Sequence, residues 1–148
     1  MHDVRRSVLL VEDDPNDVLL VQRAFRKAGV VASMSVVNDG QAALDYLNGR
    51  GVYADRGVYP LPALMLLDLK LPRKSGHEVL EWMRAQPALK RVPVVMLTSS
   101  KESADINRAY DLGANSYLVK PVAFNDLLSL VKTLDLYWLM LNESPALH

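Results

Sequence analysis

The chain alternates short, mostly apolar runs with longer stretches in which apolar residues recur every three or four positions. The runs are Ser7-Val-Leu-Leu-Val11, Ala63-Leu-Met-Leu-Leu67, Val92-Pro-Val-Val-Met-Leu97 and Ser116-Tyr-Leu-Val119. Each is too short for a helix and has no polar face, as expected of parallel strands covered on both sides. Ala32 to Val37, more mixed in polarity, reads as a further strand.

The stretches between them carry helix signals. Asp14-Pro15-Asn16-Asp17 offers an Asp cap, a proline at the first helical position and an acid in the first turn. Val18, Leu19, Gln22, Phe25 and Arg26 follow at helical spacing as far as Gly29, which predicts the C-terminal end. Asn38-Asp39-Gly40 opens a second helix with Ala42, Ala43, Tyr46 and Leu47, and a third carries Val79, Leu80, Trp82 and Met83. A fourth covers about Glu102 to Leu112 before Gly113, and the last starts near Ala123 with Leu127, Leu128, Leu130, Val131 and Leu134. Gly49 to Pro62 has three Gly, two Pro and no steady period, and predicts a loop. Strands alternating with helices through short connections define an α/β domain, with right-handed crossovers placing helices on both faces.

Composition narrows the chemistry. A chain of 148 residues supports one core. The formal net charge is zero, so whole-chain electrostatics favour neither nucleic acid nor an anionic membrane. There is no cysteine, which removes disulfides, thiolate zinc sites and cysteine nucleophiles. His2, His77 and His148 are too scattered to suggest a metal site. No stretch has the length and apolarity of a signal peptide or spanning helix, so a cytoplasmic protein is expected.

The strand ends carry the candidate chemistry. The first run leads into Glu12, Asp13 and Asp14, the next into Asp68, the next into Thr98 and the last into Lys120. A parallel sheet delivers all of these to one edge, where open α/β folds bind their ligands. Carboxylates, a hydroxyl and an ammonium gathered there suit a divalent cation and a phosphoryl group.

Over residues 5–133 the chain resembles the receiver domain of two-component response regulators. The matching pieces are Leu10-Val11-Glu12-Asp13-Asp14, Leu67-Asp68-Leu69-Lys70-Leu71-Pro72 with Gly76, Met96-Leu97-Thr98-Ser99 and Tyr117-Leu118-Val119-Lys120-Pro121. Each is weak alone; all of them in order at successive strand ends are specific. The resemblance implies a flavodoxin-like five-stranded parallel sheet of order 2-1-3-4-5, and an aspartate phosphorylated by a sensor histidine kinase. Asp68 would then be the phosphoacceptor, attacking phosphorus to give an acyl phosphate. Asp13 and Asp68 would ligate Mg²⁺ directly, Glu12 through water and Lys70 through its backbone carbonyl, while Asp14 caps the helix. Lys120 and Thr98 would hold the phosphoryl oxygens. Thr98 and Tyr117 would form the switch, the hydroxyl moving toward the modified Asp68 and the ring following inward. Pro121 is a cis-peptide candidate. Lys70 and Ser100 would tune the acyl phosphate lifetime. The protein would be a phosphoacceptor with Mg²⁺-dependent self-phosphorylation and autodephosphorylation rather than a turnover enzyme.

Two segments depart from the common receiver pattern. The Gly49 to Pro62 loop is long. Residues 134–148 form an extension whose Leu134, Leu136, Tyr137, Trp138, Leu139 and Leu141 are apolar almost all round, which predicts a homodimer contact. Both features resemble the stand-alone receivers paired with bacterial and cyanobacterial phytochrome kinases. Other classes fit less well. A haloacid-dehalogenase-like phosphatase needs an acid two residues after its nucleophile, where Lys70 stands. In a flavodoxin-type FMN protein, Glu12-Asp13-Asp14 would repel the phosphate. A degenerate receiver acting as a phosphorylation-independent binding module remains the alternative.

Overall fold

A computed structural model of the chain describes residues 7–30, 32–120 and 123–134. Five strands, β1 (Ser7–Val11), β2 (Ser33–Val37), β3 (Leu64–Leu67), β4 (Val94–Thr98) and β5 (Ser116–Val119), alternate with five helices. The helices are α1 (Pro15–Lys27), α2 (Gly40–Asn48), α3 (Gly76–Arg84), α4 (Ser103–Asp111) and α5 (Phe124–Leu134). The strands form one parallel sheet ordered β2-β1-β3-β4-β5, the topology expected from the resemblance.

Alternation along the strands sorts the core into two layers. Leu9, Val11, Met65, Leu67, Val94 and Met96 pack with residues of α2, α3 and α4. Val8, Leu10, Leu64, Leu66, Val95 and Leu97 face the other way, toward α1 and α5. The inner strands β1, β3 and β4 are buried throughout, whereas β5 at an edge is only half-buried. Helix starts follow the caps read from the sequence: Asp14 accepts from the Asn16 N–H, and Asp39 from the Ala42 N–H. Ser75 and Glu78 form a reciprocal capping box at α3.

Two arginines staple the framework. Arg84 donates to the carbonyls of Lys90, Val92 and Gly113 at 2.7–3.2 Å, binding the end of α3 to the segments before β4 and β5. Arg56 donates to the carbonyls of Tyr46, Leu47 and Tyr59 at 2.8–3.1 Å. The segment expected to be a loop is therefore anchored through Arg56, though much of it is exposed. It contains a 3-10 turn at Gly51–Tyr53, and the rings of Tyr46, Tyr53 and Tyr59 pack with centroids 5.2–5.9 Å apart. Among the described residues, no helix is long and apolar enough to cross a membrane.

Leu134 is buried in the chain's own core on the α1/α5 side. The other residues expected at a dimer contact, Leu136, Tyr137, Trp138, Leu139 and Leu141, lie outside the described residues, as does Pro121.

Candidate functional site

The backbone ladder runs past the strand ends and carries the site residues with it. The Glu12 N–H bonds the Val37 carbonyl, Asp68 that of Val11, and Lys120 that of Thr98, at 2.7–3.0 Å. Side chains from β1, β3 and β5 thereby meet at one edge although their residues are up to 108 positions apart.

Lys120 is the centre of the cluster. Its Nζ lies 2.5 Å from Glu12 Oε1, 2.8 Å from Asp17 Oδ2 and 3.2 Å from Asp68 Oδ2. An ammonium has three N–H donors, and each has a carboxylate here. The second oxygens of two of these acids are held by backbone: Asp14 N–H donates to Glu12 Oε2 at 3.2 Å, and Lys70 N–H to Asp68 Oδ1 at 3.3 Å. The Asp68 carboxylate thus sits between a fixed amide dipole and a mobile charge.

Glu12 and Asp68 are buried and Asp13 is exposed, yet oxygens of all three lie within 4.8 Å of one another. Burial pushes the Glu12 carboxyl up to about 7, against the opposing pull of Lys120 and the Asp14 amide. Burial also works against the Lys120 ammonium. Hydrogen bonds to Asp17 and Glu12 and the charge of Asp68 outweigh it, and its pKa rises above the ordinary lysine value. A set of hard oxygen donors that overloads one ammonium suits a hard divalent cation. Glu12, Asp13 and Asp68 would hold that ion.

The loop after β3 fits around Asp68 because two glycines leave room. A Cβ on Gly76 would lie 2.3 Å from the Asp68 carbonyl oxygen, and one on Gly40 2.0 Å from that of Lys74. Gly76 N–H also bonds the Leu69 carbonyl and Gly40 N–H that of Pro72.

Thr98 is fully buried at the end of β4, and its hydroxyl accepts a long contact, 3.5 Å, from the Ser100 N–H. Tyr117 on β5 donates its hydroxyl to the Ser100 carbonyl at 2.9 Å and packs against the core on the α2/α3 side. Ser100 in turn donates to Asp105 on α4 at 2.5 Å, and His77 on α3 hydrogen-bonds the Asp105 carbonyl at 3.1 Å. Thr98, Tyr117 and the start of α4 are therefore tied through one residue, Ser100.

Asp14 is the helix cap, as expected. Asp17, the acid in the first turn of α1, bonds Lys120.

Residues 8–132 match the family described as the response regulator receiver domain. The fold, the acid cluster and the paired lysine agree with that match, and the chain belongs to this family. It is 43% identical over 139 residues to the probable methanogenesis regulatory protein FilR2 of Methanothrix harundinacea, covering 94% of this chain and 87% of that protein. It is 39% identical over 141 residues to the response regulator Rcp1 of Synechocystis, covering 95% and 94% respectively. The Mn²⁺-bound structure of Rcp1 superimposes with a TM-score of 0.84 at 38% identity, over 95% of this chain and 99% of that one. The phosphorylated cyanobacterial phytochrome response regulator RcpA gives 0.86 at 38% identity, over 99% and 100%.

Proposed function

We propose that this chain is a response regulator that accepts a phosphoryl group on Asp68 from the phosphohistidine of a phytochrome-type sensor kinase, with Mg²⁺. The observation that carries this reading is the Asp68 carboxylate itself. It is buried at the end of a central strand, beside two further acids, with Lys120 on one oxygen and the Lys70 amide on the other. In the transfer an Asp68 oxygen bonds to phosphorus as the phosphorus–nitrogen bond breaks, and the departing imidazole takes up a proton. A bound Mg²⁺ supplies charge neutralisation for the phosphoryl oxygens. Asp13 and Asp68 would hold it directly, with Glu12 acting through water and the Lys70 carbonyl as a further ligand. Lys120 follows the negative charge from carboxylate to phosphoryl group.

Thr98 then exchanges its long contact with the Ser100 amide for the phosphoryl oxygen. Ser100 also anchors Tyr117 and Asp105, so the change reaches the surface around α4 and β5. The output is altered association with the kinase, with a downstream protein or with a second copy through the apolar 136–141 run. The likeness to the cyanobacterial phytochrome response regulator RcpA supports a phytochrome partner.

Intact-mass spectrometry after treatment with acetyl phosphate tests the core of this reading. A single phosphoryl adduct that requires Mg²⁺ and is lost in Asp68→Asn is expected. An adduct of equal yield in Asp68→Asn would overturn the assignment. Absence of any adduct would favour the phosphorylation-independent binding module. A sizing column run with and without the adduct reads the association state.

A further inference from the structure

Asp17 is bound to Lys120 but stands outside the three-acid group that could hold a metal. Its neighbours Asp14, Pro15 and Asn16 already supply the helix cap, so the start of α1 does not depend on it. A first-turn acid ordinarily faces solvent and acts only on the helix dipole. Here the side chain is 31% exposed and lies 2.8 Å from an ammonium that is itself 13% exposed.

The three partners of Lys120 differ in what happens to them during the proposed reaction. Asp68 becomes phosphorylated, and Glu12 turns toward the cation. Asp17 is the carboxylate partner of Lys120 that neither event claims. We infer that Asp17 is a positioning residue that tethers Lys120 from α1, holding the ammonium beside Asp68 before, during and after phosphoryl transfer. This rests on the function proposed above and adds to it a part of the site supplied by a helix rather than a strand end.

Without the tether the ammonium divides itself between Glu12 and Asp68 alone and competes harder with the cation for both. Asp17→Asn should therefore slow labelling by acetyl phosphate at fixed Mg²⁺ about tenfold, the scale typical of residues that orient a metal site's own ligands. Asp17→Glu should recover most of the rate. In a Lys120→Met background, Asp17→Asn should have less than about a twofold effect, because the residue through which it acts is gone. Equal slowing in both backgrounds, or none in either, would overturn the inference.

A second measurement is independent of phosphorylation. In metal-free protein the Lys120 ammonium, shielded by three carboxylates, should give a slowly exchanging ¹⁵Nζ signal, assigned by its loss in Lys120→Met. Asp17→Asn should speed that exchange severalfold. An unchanged signal would overturn the tether even if Lys120→Met proves too slow to label. Failure of the wild type to label at Asp68 while the signal still responds would instead refute the proposed function and leave the tether standing.

Discussion

Arg84 and Lys120 are both cations that bind several distant segments together, but they do so in opposite ways. Arg84 grips three backbone carbonyls, neutral dipoles in the segments that lead into β4 and β5. Lys120 grips three side-chain carboxylates. A carbonyl bonded to a guanidinium has nothing else to do, so the contact is permanent. A carboxylate can protonate, bind a metal or become phosphorylated, and each event releases the ammonium to follow the charge. Arg56, on the carbonyls around the 49–62 segment, belongs with Arg84. Permanent staples thus hold the frame while one exchangeable cation serves the site.

The contrast can be broken from either side. Arg84→Met should cost about 3 kcal/mol of stability in urea unfolding, since several carbonyls lose their donor together. It should leave the labelling rate per folded molecule unchanged. Lys120→Met should do the reverse. Labelling by acetyl phosphate should slow about a hundredfold, the usual cost of removing one preorganised donor to a transition state. Divalent cation should nevertheless bind about tenfold more tightly by calorimetry, because the acids no longer have an internal counter-ion. Weaker cation binding in Lys120→Met would mean that the lysine organises the acids rather than competing for them.

A smaller effect sharpens the same point through pH. Glu12 rises from 4.5 to about 7 in the fold, so the folded state holds this proton more tightly than the unfolded chain. Its contribution therefore favours folding at low pH and fades as pH rises toward 7. Between pH 5 and 7 metal-free protein should lose about 2 kcal/mol from this group, read from urea midpoints in EDTA. Cation displaces the proton, so its affinity should climb over the same interval. Arg84→Met should show the same slope as the wild type, and Glu12→Gln should flatten it.

Much of this arrangement is legible in the chain. Apolar runs such as Leu64–Leu67 can only be covered strands, and their order brings Glu12, Asp13, Asp68, Thr98 and Lys120 to one edge. The parts that escape are contacts without a period. Arg84 and Arg56 bond backbone carbonyls, and any residue type offers a carbonyl, so no sequence pattern marks the partner. Asp17 satisfies a complete local explanation as a first-turn acid, which conceals its bond to a residue 103 positions away. The 49–62 segment lacks periodicity because its order comes from a three-tyrosine cluster and one arginine rather than from a repeating element.

The distance along the chain between Glu12 and Lys120 has a consequence for synthesis. Chains emerge from the ribosome amino end first, and the acids of β1 and β3 are made well before β5. A partly made chain therefore gathers its negative charges before it owns the residue that neutralises them. During that interval a dissolved divalent cation is the natural substitute, and refolding should run faster with Mg²⁺ than with EDTA. The ion proposed to equip the finished protein for signalling would then also act earlier, as a temporary assistant in its assembly.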